Sequence, residues 1–218
     1  MEVKLKLLTP QKQINDYIRK ELAKRMNQCI PSIISEVKSQ LSFYIANKIK
    51  STPEYQSLLN GKLEADLGLD NVNARLDAII EQWANNFYVI LKPFTYNSRG
   101  FSGSFSVCYI ERDFSDVLVL SEATVFSLTG NVPWLEWLLL EGSRILVRDY
   151  EVVYNLSGKQ AAVSRSGDAL MREAAGSKFT VDPQFQGTIT NNWITRAFEN
   201  SEQDISDILT VALINTVT

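Results

Sequence analysis

Val72-Asn73-Ala74-Arg75-Leu76-Asp77-Ala78-Ile79-Ile80-Glu81-Gln82-Trp83-Ala84-Asn85-Asn86-Phe87-Tyr88-Val89-Ile90-Leu91 decides the fold, because the rhythm of its apolar residues changes partway through. Val72, Leu76, Ile79, Ile80 and Trp83 recur at steps of three and four, which places them on one face of a helix. From Phe87 the run is unbroken apolar and rich in aromatic and β-branched side chains, the composition of a strand. From Thr9 to this point the chain reads as helix, and a sheet begins after it.

Upstream, Thr9-Pro10 is a helix start: a hydroxyl able to cap, then a proline where its missing N–H costs nothing. Ile14, Ile18, Leu22, Met26, Ile30, Ile33, Val37, Leu41, Ile45 and Ile49 continue the helical spacing. Pro31 interrupts it and predicts either a kink or two helices meeting near Cys29 to Ser32. Residues 10 to 50 as one helix would be roughly 60 Å long at 1.5 Å per residue. The stripe therefore either folds back as a hairpin on its own core or packs in part on another subunit. Ser51-Thr52-Pro53-Glu54 repeats the start signal, and Gly61 and Gly68 bound short helices over 53–59 and 62–67. Met1 to Leu8 alternates charged and apolar residues and reads as a strand or arm.

Downstream, strands are expected at 87–91, 103–110, 117–120 and 124–128, with turns at Asn97-Ser98-Arg99-Gly100 and Gly130-Asn131. Pro133 opens a helix from Trp134 to Glu141, stopped by Gly142. Strands at 144–147 and 150–154 flank Arg148-Asp149, a candidate turn. Residues 155–190 carry little helical period and read as a long loop ordered by a partner. Helices follow at 191–199 and 201–217. The expected class is α+β: long N-terminal helices, a central antiparallel sheet crossed by a helix, the long loop, and C-terminal helices. Residues 1–86 form the arm and helical region and 87–218 the sheet region, together one structural unit.

The 218 residues are 45% hydrophobic, enough for a real core, and carry a net charge of −3, which argues against a general polyanion binder though not against a local basic patch. There is no histidine, so Ser-His and Cys-His nucleophiles are impossible and the commonest metal ligand is missing. No phosphate-cradling glycine loop is present; Arg99-Gly100-Phe101-Ser102-Gly103 sits between strands and reads as a hairpin. Cys29 and Cys108, far apart in apolar surroundings, read as buried reduced thiols rather than a disulfide or zinc site. Glu111, Asp113, Asp116 and Glu122 are the one candidate set of carboxylates for acid–base chemistry, with a solvated rim as the plainer reading. No apolar run is long enough to cross a bilayer, and the chain reads as soluble. We expect no catalytic residue, no cofactor and no metal.

The residues that look made for a partner lie late in the chain: Ser164-Arg165-Ser166-Gly167-Asp168, then Val181-Asp182-Pro183-Gln184-Phe185-Gln186-Gly187-Thr188, then Asn191-Asn192-Trp193-Ile194-Thr195-Arg196-Ala197-Phe198. Arg165, Phe185, Trp193 and Arg196 are the candidate contacts, Trp193 being either an interface anchor or core.

Taken with Thr52-Pro53-Glu54-Tyr55-Gln56-Ser57-Leu58-Leu59-Asn60-Gly61-Lys62-Leu63, Asp66-Leu67-Gly68-Leu69 and Pro133-Trp134-Leu135-Glu136-Trp137-Leu138-Leu139-Leu140-Glu141-Gly142, these elements resemble, across most of residues 10 to 200, the neck and tail-completion proteins of tailed bacteriophages. The resemblance implies a virion structural protein, assembled in the host cytoplasm. It would form a ring of identical subunits that meets other neck, portal or tail proteins. DNA would pass through without sequence-specific binding, and no membrane would be involved. Ring contacts are head-to-tail and need two different faces, for which 10–50 and 155–190 are the candidates. A tail-terminator ring is the near alternative. A carboxylate-dependent enzyme using Glu111, Asp113 or Asp116, and a cytoplasmic coiled-coil adaptor, are more distant ones.

Overall fold

The computed structural model describes residues 9–97, 100–109, 113–127, 130–159 and 169–217. In chain order the elements are α1 Gln11–Gln28, α2 Ile30–Lys50, α3 Pro53–Asn60, α4 Lys62–Leu67, α5 Val72–Asn85, β1 Phe87–Asn97, β2 Gly100–Tyr109, α6 Ser115–Leu118, a 3-10 turn Ser121–Ala123, β3 Val125–Ser127, β4 Gly130–Val132, α7 Trp134–Leu139, β5 Val147–Tyr154, β6 Ala169–Phe179, α8 Trp193–Ala197 and α9 Glu202–Val217. The class is α+β. In place of one central sheet, the described strands form three separate antiparallel pairs, β1–β2, β3–β4 and β5–β6. Two compact units result: one from Met1–Leu41, Phe87–Tyr109 and Glu202–Thr218, the other from Ser42–Asn86 and Ile110–Ser201.

In the first unit, α1 and α2 meet at Cys29, as Pro31 requires: Cys29 keeps helical dihedrals, and Pro31 sits in the first turn of α2, where its missing N–H is harmless. The α2 stripe is buried as its spacing predicts, at Ile33, Val37, Leu41, Ile45 and Ile49. The α1 stripe is not, and the helix buries Ala23 alone. A polar contact helps to hold α1 on β1. Between Lys92 and Thr95 the β1–β2 register slips, so that Pro93 and Phe94 oppose the single residue Gly103. The bulge frees the Phe94 backbone, and the Asn27 carboxamide takes both groups, donating to its carbonyl at 3.0 Å and accepting from its N–H at 2.7 Å. The Phe94 ring lies over Gly103, where a Cβ would sit 2.5 Å from it. Cys29 and Cys108 are free and half-buried, so the expectation of buried thiols is corrected to partly exposed ones.

The second unit is built on α5, whose buried face contacts α3, α6 and the 3-10 turn. Val117 to Leu120 is not a strand. The Asp113 carboxylate accepts the Ser115 N–H at 3.1 Å, Phe114 takes a left-handed turn (φ 63°), and α6 follows, burying Val117 and leaving Val119 outside. Arg148-Asp149 is likewise no hairpin turn. It lies inside β5, where Asp149 (φ 62°) alone faces 174–177 and accepts the Gly176 N–H at 2.8 Å. The expected loop over 155–190 therefore contains a strand, β6, whose Arg172 forms an ion pair with Glu151 directly across.

The segment after β6 runs against the end of α7. Gly142 donates its N–H to the Gly187 carbonyl at 3.0 Å, and a Cβ at Gly187 would fall 1.8 Å from the Leu138 carbonyl oxygen. Only glycine permits that approach. Gly187→Ala is expected to destabilise the protein by roughly 3 kcal/mol through forced backbone displacement, read as a lowered urea midpoint.

Candidate functional site

The residues that the sequence marks for partner contact are gathered by the start of α8. Asn192 caps it, accepting from the Ile194 and Thr195 N–H groups, while the Thr195 hydroxyl accepts the Asn192 N–H at 2.7 Å. This reciprocal cap fixes Trp193 and Arg196 one turn apart. Trp193 is 0% exposed: it packs edge-on against Trp83 at 6.0 Å, and its indole N–H donates to Thr52 Oγ1 at 2.7 Å. Arg196 Nε donates to Glu54 Oε1 at 2.7 Å, and Nη1 donates to Asn191 Oδ1 at 2.9 Å and the Gln186 carbonyl at 3.2 Å. Phe185 is buried as well. Trp193 is therefore core, the second of its two readings, and Phe185 and Arg196 make contacts within the chain that pin 185–198 onto α3. Arg165 lies outside the described residues. Sequence alone had no signal that Thr52 and Glu54, more than a hundred residues away, would meet them.

The Glu54 side chain is only 4% exposed, so Arg196 is its required counterion. Arg196→Ala is expected to cost roughly 3 kcal/mol by leaving a buried carboxylate unpaired. A Glu54→Leu/Arg196→Met double variant should recover most of that loss in the same denaturant titration.

The acids weighed for catalysis do local work. Asp113 caps the turn into α6, and its hydrogen bonds with Ser115 hold it below the usual carboxylate range. Asp116 is held by the Asn86 carboxamide, with burial pushing its carboxyl up. Glu122 accepts from Ser121, while its backbone carbonyl receives Arg75 at 3.2 Å and the Trp134 indole at 2.9 Å. Glu111 lies outside the described residues. Among the described residues no group of acids, cysteines and histidines is placed to hold a metal ion.

A second polar cluster was not legible in the sequence. Asp66, on α4, is buried and accepts the Tyr154 hydroxyl from the end of β5; Lys62, one turn earlier, pairs with Asp182 at 2.7 Å. Burial pushes the Asp66 carboxyl up against the opposing pull of the Tyr154 bond, and Lys62 holds Asp182 down. Two open clefts flank the cluster: one of about 910 Å³ bordered by Lys62 and Tyr154, and one of about 950 Å³ bordered by Asp66, Trp137, Arg144 and Phe179. Because the folded carboxyl of Asp66 is raised, its contribution to stability is complete below the unfolded value and is lost as pH rises through the folded one. Asp66→Asn should therefore gain stability relative to the parent between pH 4 and pH 7, with the gain vanishing at the acid end of a pH series of thermal melts.

The surface left over is apolar on α1. Tyr17 is 71% and Ile18 55% exposed, with Leu22 beside Ile18 one turn on. Tyr88, Ile90 and Phe101 stand out from the β1–β2 pair, which pairs with no third described strand. Among the described residues no helix is long and apolar enough to cross a membrane. No family model, curated protein or solved structure matches this chain.

Proposed function

We propose that this chain is a non-enzymatic subunit of a homo-oligomeric ring at the neck of a tailed bacteriophage, joining portal to tail around the DNA channel. The observation that carries the assembly part is the α1 face. An 18-residue helix that buries only Ala23 while exposing Tyr17, Ile18 and Leu22 keeps an apolar stripe for another copy. The two-stranded β1–β2 pair, with aromatic side chains outside, supplies a second and different face, as head-to-tail closure needs. The neck location rests on the resemblance of the sequence elements, with a tail-terminator ring as the neighbouring reading. A net charge of −3 suits a channel that must release DNA rather than retain it. The carboxylate-dependent enzyme is the more distant alternative; of its acids, Asp113, Asp116 and Glu122 each make a local hydrogen bond.

Mass spectrometry of gradient-separated heads, tails and whole particles should recover the chain at a fixed copy number; its absence from every fraction would remove the virion reading. A Tyr17→Asp/Ile18→Asp variant should keep its circular dichroism and thermal midpoint, both sites being exposed. It should nevertheless fail to enter particles. Normal incorporation of that variant would show that the α1 stripe is not the contact.

A further inference from the structure

The cleft between α1 and β1 has a chemistry that neither the core nor the apolar stripe uses. Its volume is about 560 Å³, and its lining includes Lys20, Lys24, Asn27, Phe94 and Tyr96. Lys20 and Lys24 lie one turn apart on the same wall, both exposed and neither engaged by an acid among the described residues. Asp16, a turn before Lys20, is paired with Arg19 at 3.4 Å. Around these two lysines α1 carries Lys12, Arg19 and Arg25 against only Asp16 and Glu21, so it is a basic helix in an acidic chain. The opposite wall is aromatic. Phe94 is fixed by its seat over Gly103 and by the two Asn27 hydrogen bonds to its backbone, while Tyr96 is 42% exposed.

Ammonium groups on one wall and aromatic side chains on the other match a ligand with phosphates along one side and flat bases along the other. An acidic peptide would satisfy the lysines and leave the rings unused. We infer that the α1–β1 cleft is a binding site for single-stranded nucleic acid, with Lys20 and Lys24 on the phosphates and Tyr96 stacking a base. The site is preformed, because the bulge at Pro93-Phe94 and its capture by Asn27 set the spacing of the two walls. It involves no sequence reading, and it stands independently of the ring proposal, being a property of the purified chain.

The test is fluorescence anisotropy of a labelled 20-mer of thymidylate with the full chain at 50 mM and 200 mM salt. Saturable binding that weakens with salt is expected. Lys20→Glu/Lys24→Glu should raise Kd by at least tenfold, and Lys20→Ala/Lys24→Ala should lower the slope against log salt by about 1.4, two phosphate contacts at about 0.7 each. Tyr96→Ala should weaken binding roughly tenfold, the equivalent of one stacked base. Lys12→Glu/Arg25→Glu, which makes the same charge change on α1 outside the cleft, should retain most of the affinity. Four results would each overturn the assignment: no binding at 50 mM salt, equal loss in the Lys12/Arg25 control, tighter binding of a duplex than of the strand, or displacement by poly-glutamate as readily as by unlabelled strand. Circular dichroism of each variant separates loss of binding from loss of fold.

Discussion

The second unit depends on one hydroxyl. Thr52 Oγ1 donates to the Ile49 carbonyl at 2.7 Å and accepts the Tyr55 N–H at 3.2 Å and the Trp193 indole N–H at 2.7 Å. A hydroxyl has one proton and two lone pairs, and all three are used. The last turn of α2, the first turn of α3 and the start of α8 are thereby tied at a single buried atom. Trp193 then presents its ring to Trp83, and Trp83 meets Phe114 at 5.8 Å, so the aromatic centre is aligned by a polar contact at its edge. An isosteric valine at position 52 would keep the shape and orphan the Tyr55 and Trp193 N–H groups, which is why packing alone does not explain the site.

The first unit solves a related problem by another route. Helix α1 buries little of its apolar stripe, and a side-chain amide adds a polar attachment to β1. Asn27 offers Phe94 the donor and acceptor that a neighbouring strand would have offered, filling the gap that the bulge opens. A helix attached by such a contact keeps its other faces available. One face of α1 accordingly carries Lys20 and Lys24 over a cleft, and another leaves Ile18 and Leu22 bare.

Local chemistry was read well from sequence, and non-local chemistry was not. Thr52-Pro53, Gly61, Gly68 and Pro133 announce helix boundaries because caps and φ restrictions act within a few residues. Val117 to Leu120 misled because four apolar residues are too few to show a period, and the Asp113 turn decided the matter. Ala169 to Phe179 contains Ala, Leu, Met, Arg and Glu, all helix formers, yet it is a strand because β5 supplies its partner. The Trp193 position shows the same limit. A tryptophan after a long loop looks the same in sequence whether it faces solvent or Thr52, and the partner at position 52 appears only when the chain is folded.

Each compact unit is assembled from separate stretches of chain, and the order of those stretches has a kinetic side. During synthesis α1 and the β1–β2 pair leave the ribosome early, but the third stretch of their unit, α9, is made only after the whole of the other unit. The second unit has all its parts by Ser201 and is free to condense first. The first unit thus spends most of translation without its third stretch. For such a chain the last stretch to join its unit is α9, after the whole of the other unit has been made.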